Sequence, residues 1–190
     1  MGKVRYGLKN VHYAVWDPEK KTYGTPKAAP GAVSMALTAN GSTSTFRADN
    51  VDYATFSSNG GYDGTLELGV AEDEMLKDLL GYIESNGMTL EPTDGKAAEF
   101  ALMFEVAGNE LNQRMVFYNC TLSRPNLNAN TTDEQITPDT QQMTFKAVGR
   151  DFEVAGETRN IVKGTIENTT ANAAKYKAFM DAVLLPTASE

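Results

Sequence analysis

From Glu99 to Ala107 the chain reads EFALMFEVA, with Phe100, Leu102, Phe104 and Val106 on one side and Glu99, Ala101, Met103 and Glu105 on the other. Successive side chains of a strand point to opposite faces, so this alternation predicts a half-buried strand. The pattern recurs. YDGTLELGV sets Tyr62, Gly64, Leu66, Leu68 and Val70 against Asp63, Thr65 and Glu67, and QQMTFKAV sets Met143, Phe145 and Ala147 against Gln142, Thr144 and Lys146. NVHYAVW, AVSMALTA, STSTFRA and RNIVKGTIE carry weaker versions. RMVFYNCTL is apolar on both faces as far as Asn119, and turn residues Gly108, Asn109 and Asn112 join it to the preceding strand as a hairpin. Asn40-Gly41, between two strand-like segments, reads as the tip of another hairpin, since a tight type I′ turn requires positive φ at both central positions.

Helical spacing appears twice. From Glu72 to Ser85 the sequence EDEMLKDLLGYIES places Met75, Leu76, Leu79, Leu80 and Ile83 on one stripe, opens with three acids suited to the positive end of a helix dipole, and stops at Asn86-Gly87. Near the end, residues 171–185 give Tyr176, Phe179, Met180, Val183 and Leu184 at helical spacing before Pro186. This predicts a helix that docks on its own sheet or on a neighbour. The segment 123–141 is almost devoid of apolar residues and contains two prolines, a long polar loop of the kind that usually has a function or moves.

These elements predict an all-β chain with minor α content: a β-sandwich or partly closed barrel with one packed helix, long polar hairpin loops and a C-terminal helix. A length of 190 residues fits one domain, able to bury roughly 70% of its unfolded surface. Residues 1–10 read as an N-terminal arm.

One segment resists the scheme. Thr38 to Gly64 has the Ser, Thr, Asn and Gly content of a linker, yet Phe46, Tyr53, Phe56 and Tyr62 run through it. It divides into two short polar strands, STSTFRA and VDYATFSS, around an Asp49-Asn50 turn, with Asn59-Gly60-Gly61 as the joint to the next strand. Aromatic anchors on a polar excursion predict a segment ordered by an adjacent subunit, with Phe46, Arg47, Tyr53, Phe56 and Tyr62 as interface candidates.

Charge narrows the function. A net charge of −8 and a pI near 4.7 repel nucleic acid and anionic membranes. No stretch approaches the roughly 20 apolar residues of a membrane span, and the N-terminus lacks an apolar leader core, so a soluble, unexported product is expected. The single cysteine, Cys120, lies in an apolar run and reads as a small core residue. Asn-X-Ser/Thr triplets at Asn40, Asn119, Asn130 and Asn168 are those that an Asn- and Thr-rich chain makes by chance.

Catalytic patterns are scarce. His12 is the only histidine, so a His-rich metal site is impossible and a Ser or Cys triad would have to use that one base. Its place in NVHYAVW suits a structural or surface role. No phosphate-binding loop, dinucleotide fingerprint, nucleophile elbow or Cys-x-x-Cys pair is present. Glu72, Asp73 and Glu74 suit a helix start, Asp133-Glu134 a solvated loop, and DNVD at 49–52 and TDGK at 93–96 lack calcium-loop spacing. No metal and no cofactor are expected. Trp16 and the tyrosines could stack sugars or bases, but around Phe46, Tyr53 and Phe56 the only basic residue is Arg47, which suits protein contact better than single-stranded nucleic acid.

Taken in order, YGLKNVHYAV, GTPKAAPGAVSMALTANGSTSTFRADN, NGGYDGTLELGV, EFALMFEV and FYNCTLSRPN followed by ITPDTQQMTFKA resemble the major tail protein, or tail-tube protein, of long non-contractile-tailed bacteriophages of Gram-positive hosts. The resemblance spans roughly Tyr6 to Ala147 and is cumulative. It implies a non-enzymatic virion protein made in the host cytoplasm and located in the tail. Six subunits would form a ring sharing one inner barrel, and rings would stack into a tube around the tape-measure protein and later the passing DNA. Distal tail and tail-terminator proteins would be further partners. The chain ends soon after its C-terminal helix, so the extra immunoglobulin-like domain of some relatives is not expected. An acidic lumen would let DNA slide, and Asp63, Glu67, Glu99 and Glu105 are its candidates. The alternative is a sugar- or surface-binding β-sandwich module; a small hydrolase with paired carboxylates is the third reading.

Overall fold

The computed structural model describes residues 7–108, 111–126 and 139–186. In chain order the strands are β1 (Leu8–Asp17), β2 (Thr22–Tyr23), β3 (Lys27–Ala28), β4 (Ala32–Asn40), β5 (Thr43–Ala48), β6 (Val51–Ser57) and β7 (Gly61–Leu68). Helix α1 (Asp73–Leu80) follows, then β8 (Ile83–Ser85), β9 (Met88–Leu90), β10 (Glu99–Val106) and β11 (Gln113–Leu122). The chain continues through β12 (Gln141–Val148), β13 (Arg150–Val154), β14 (Glu157–Ile161) and β15 (Lys163–Glu167) to α2 (Ala173–Ala178). All pairings are antiparallel, so the chain is all-β with minor α content. Most of the predicted N-terminal arm and of the polar loop at 123–141 lies outside the described residues.

The main sheet has nine strands, ordered β2-β1-β10-β11-β12-β7-β4, with β3 also on β1 and β15 also on β11. Strand β11 pairs with β10 along one edge. Its other edge is divided, Gln113–Phe117 with β15 and Asn119–Leu122 with β12. The sheet curls until β4 lies beside β1 without joining it in a ladder, a partly closed barrel. Its inner face carries Val11, Tyr13, Leu66, Leu68, Phe100, Leu102, Phe104, Phe117, Met143 and Phe145. Gly64 also faces this core, and a Cβ there would stand 2.2 Å from the ring of Phe145 on the paired strand.

Helix α1 closes this core with Met75, Leu79 and Leu80. Lys27 binds Glu74 and Asp78 at 2.8 and 2.6 Å, and the Tyr13 hydroxyl donates to Asp78, so β1 and β3 fix the helix from one side. The helix ends earlier than its apolar stripe predicts. Gly81 adopts the left-handed conformation, φ 70°, and its N–H caps Lys77. Ile83, on the stripe by spacing, lies in β8 and is exposed. Asn86-Gly87, predicted to stop the helix, instead makes the β8–β9 turn, with φ 54° and 73°.

The outer face is covered only in part. Alternation predicts a half-buried strand at Glu99–Val106, but Ala101 and Met103 are fully enclosed as well, beneath the β13–β14 hairpin and the C-terminal segment. The predicted RNIVKGTIE strand is split at Val162 into β14, which pairs with β13, and β15, which pairs with β11. The predicted helix at 171–185 is helical only at 173–178. Phe179, Met180 and Val183 still face the sheet, but Tyr118 donates to the Leu184 carbonyl at 3.0 Å and holds the chain there in a non-helical course. The segment docks on its own sheet.

Glu105 is the buried junction of these parts. Its carboxylate accepts from Asn10 and from Lys9 and Arg114, each near 3 Å, and Arg114 also lies over the Tyr176 ring and donates to the Tyr176 carbonyl at the end of α2. Burial alone would raise its pKa, but the hydrogen bonds from Asn10, Lys9 and Arg114 outweigh it and hold Glu105 below the ordinary carboxylate value. A group depressed on folding stabilises the protein above its unfolded pKa and loses that contribution as pH falls through the folded one. Urea denaturation should therefore show Glu105→Gln less stable than the parent at pH 7, by about 3 kcal/mol for a broken buried pair. The gap should narrow toward pH 3. Gly64→Ala should cost about 1–3 kcal/mol at every pH through overpacking against Phe145, read as a drop in denaturation midpoint.

Candidate functional site: an exposed hairpin and a bare sheet face

Strands β5 and β6 form a separate ladder standing on the end of β4 and β7. Together the four strands make one long ribbon. Asn40 pairs with Gly61, the Gly60 N–H donates to the Asn40 carbonyl at 2.7 Å, and the Ser42 and Ser58 hydroxyls meet at 2.9 Å. Asn40-Gly41 is therefore a joint within the ribbon, not the expected hairpin tip. Neither residue has positive φ, because the edge of β4 is taken by β7, whose Leu66 and Leu68 enter the core. The reversal occurs at Asp49-Asn50, φ 53° and 65°.

The ladder explains the odd sequence of this segment. In VDYATFS the apolar residues fall at 51, 53, 54 and 56, which breaks simple alternation between Tyr53 and Ala54. A register shift lies at that point: Phe46 pairs with Ala54 and Arg47 with Asp52, leaving Tyr53 as the extra residue of a bulge. The bulge restores the phase. Phe46, Val51, Tyr53 and Phe56 share one face, with the Phe46 and Tyr53 rings edge to face at 6.3 Å. Thr43, Thr45, Thr55, Ser57 and the Arg47–Asp52 ion pair, at 2.6 Å, occupy the other. The apolar face is open, with exposures of 57% for Phe46, 59% for Val51, 74% for Tyr53 and 62% for Phe56. Its tertiary contacts are almost wholly between its own two strands.

Of the expected interface residues, Phe46, Tyr53 and Phe56 come together. Arg47 lies on the hydroxyl side. Tyr62 differs from the expectation: it points into the domain core, edge to face with Phe117 at 5.3 Å and beneath the Lys163 ammonium. The alternation of β7, which places Tyr62 in phase with buried Leu66 and Leu68, is the signal that overrides its membership of the aromatic series.

The expected acidic residues share a face, but not one environment. Thr38, Asp63, Lys146, Thr121 and Glu99 are successive cross-strand partners from β4 to β10, and the next rows contain Ala36, Thr65 and Thr144, then Ser34, Glu67 and Gln142. This half of the outer face is bare and rich in hydroxyls. Asp63 is exposed; Glu67 accepts from Ser34 and Thr140 at 2.6 Å each, which lowers its pKa and keeps it ionised. Glu99 pairs with Arg150 at the border of the covered half. Glu105 lies within that half, 3% exposed and neutralised by Lys9 and Arg114, so it presents no negative surface. Alternation alone could not distinguish it, because what covers it arrives from residues far along the chain.

Other candidates are occupied. One face of the Trp16 ring is covered by the Arg150 guanidinium at 3.8 Å, and its edge meets Tyr23. His12 Nδ1 contacts the Asn10 carbonyl oxygen at 3.0 Å. Cys120 is fully buried, and burial pushes its thiol pKa up. Among the described residues no group of His, Cys, Asp and Glu could hold a metal ion, and no helix is long and apolar enough to cross a membrane.

No family model and no curated protein matches the chain. Among solved structures it is similar to the tube-terminating cap of an anti-feeding prophage, with 16% identity, a TM-score of 0.43, and coverage of 88% of this chain and 95% of that one.

Proposed function

We propose that this chain is a structural subunit of a bacteriophage tail tube, assembling as stacked hexameric rings of identical copies into a conduit for DNA. The observation that carries the reading is the β5–β6 hairpin. Four large apolar side chains on one face of a two-stranded ribbon, all more than half exposed, meet one another and little else among the described residues. An isolated hairpin is marginal in water, so such a face is stabilised by something that covers it. The order of sequence segments resembling tail-tube proteins indicates another copy of the chain.

Two further features support it. Strand β4 ends the sheet, and its outer edge has no ladder partner within the described chain, an edge that pairing around a ring would satisfy. The hydroxyl-rich face with Asp63 and Glu67, bordered by Glu99, suits a wall that carries DNA without binding it: each lysine or arginine contact to phosphate releases counterions and holds the duplex. Lys146 alone interrupts it with positive charge among these rows. In this reading the protein has no catalytic role, the lumen holds the tape-measure protein before DNA, and distal tail and terminator proteins cap the ends. A tube map with Asp63 and Glu67 on the outer wall removes the lumen assignment.

Tyr53→Ala combined with Phe56→Ala separates assembly from folding. Urea denaturation should shift by less than about 1 kcal/mol, as for exposed sites. Sedimentation and negative-stain microscopy should show the rings or tubes of the parent lost. Unchanged assembly with an unfolded monomer contradicts the reading. A parent that stays monomeric and binds glycans saturably favours the sugar-binding alternative.

A further inference from the structure

A second exposed apolar patch lies at the other end of the same ladder. Ile83 pairs with Leu90 and Ser85 with Met88, so Ile83, Met88 and Leu90 share one face of the β8–β9 hairpin, while Glu84 on the other face is held by Lys77. Val70, just beyond the end of β7, is 71% exposed, Ile83 53%, Met88 55% and Leu90 37%.

The position of this patch follows from the registers. The β5–β6 hairpin leaves β4 and β7 where Asn40 meets Gly61, whereas β7 ends at Leu68, which pairs with Gln141. Val70 lies two residues past Leu68, after Gly69. Glu91, one residue past β9, pairs with Arg124 at 3.1 Å, and the chain around Arg124 runs beside the start of β12, with Ser123 donating to Thr144 and Asn126 to Gln142. The two patches therefore sit at opposite ends of the β4–β7–β12 ladder, separated by the roughly 27 Å of an eight-residue strand.

We infer that these patches bind each other between successive copies: the Phe46, Val51, Tyr53 and Phe56 face of one chain lies on Val70, Ile83, Met88 and Leu90 of the next. This rests on the reading that copies of the chain assemble, and it makes the hairpin contact axial. At about 150–200 Å² per large apolar side chain, the exposed fractions leave roughly 400–500 Å² on the hairpin and roughly 300–400 Å² on the second patch. Together they supply about half of the ~1,600 Å² of a stable interface, with the polar rims supplying the remainder. Neither face carries a charged side chain, since Arg47 is paired with Asp52 and Glu84 with Lys77 on the opposite sides. Burial strands no charge. Two unlike patches at opposite ends make a head-to-tail contact, which does not close on a dimer and propagates.

Full-length Phe56→Cys and Met88→Cys variants, mixed and treated with a short bis-maleimide, test the contact; Cys120 is fully buried and silent. Sedimentation of the same samples reports assembly. Linked dimers should form at least about tenfold more in the mixture than with either variant alone. Phe56→Lys and Met88→Glu should each block assembly, and the chain carrying both should recover it. Assembly without the Phe56–Met88 link, or with Phe56–Phe56 links instead, overturns this contact and leaves the tube reading standing. Absence of any assembly by the parent chain overturns both.

Discussion

Strand β11 gives one edge to β10 and divides the other between β15 and β12, and the rest of the molecule is arranged around that division. Both of its faces are buried, with Phe117, Cys120 and Leu122 in the inner core and Val116 and Tyr118 in the outer one. The β15 branch brings the β13–β14 hairpin and the C-terminal segment over half of the outer face. The β12 branch continues through β7 to β4 with that face bare. Where the branches part, the Asn119 side-chain oxygen is buried without a hydrogen-bond partner among the described residues, and the Tyr118 N–H donates to the Val162 carbonyl. A single strand thus separates a sealed half, which stabilises the fold, from an open half that presents hydroxyls and carboxylates.

The sealed half concentrates its electrostatics in one buried carboxylate. Glu105 joins the start of β1, the β10–β11 pair and, through Arg114, the end of α2. Removing one member of such a network leaves an uncompensated buried charge, which costs more than the intact pair contributes. The exposed ion pairs, such as Lys20 with Asp17, are worth far less because water screens them. The open half is held differently, by backbone ladders and by the inner core beneath it.

Local patterning identified β7, β10, β11 and β12 because each places large apolar residues at a spacing of two, and removing that face from water is the main force that drives folding. It also placed the start of α1, where the acids precede the apolar stripe. It misjudged the end of α1, since Ile83 fits the helical stripe as well as it fits a strand, and Gly81 decided the matter by taking the left-handed cap. At the C-terminus the same ambiguity was resolved by contact with the sheet: Phe179 and Val183 pack there without a continuous helix. The aromatic residues of 38–64 were legible as unusual, but the joint at Asn40-Gly41 was not, because which strand occupies the edge of β4 depends on residues after the excursion.

The sequence by itself determined the class of the chain: antiparallel strands around one helix, a surface of net negative charge, no pattern for metal or nucleophilic chemistry, and an excursion too aromatic to be a linker. These properties follow from composition and local period, which each segment carries alone. The tertiary structure decided which of the like-patterned residues are available. Tyr62 turns inward while Phe46, Tyr53 and Phe56 gather outward across a bulge; Glu105 is enclosed while Asp63 and Glu67 stay open. The reason is that a strand's alternation fixes only which face a side chain shares, and whether that face meets core, water or another molecule is set by strands distant in the chain.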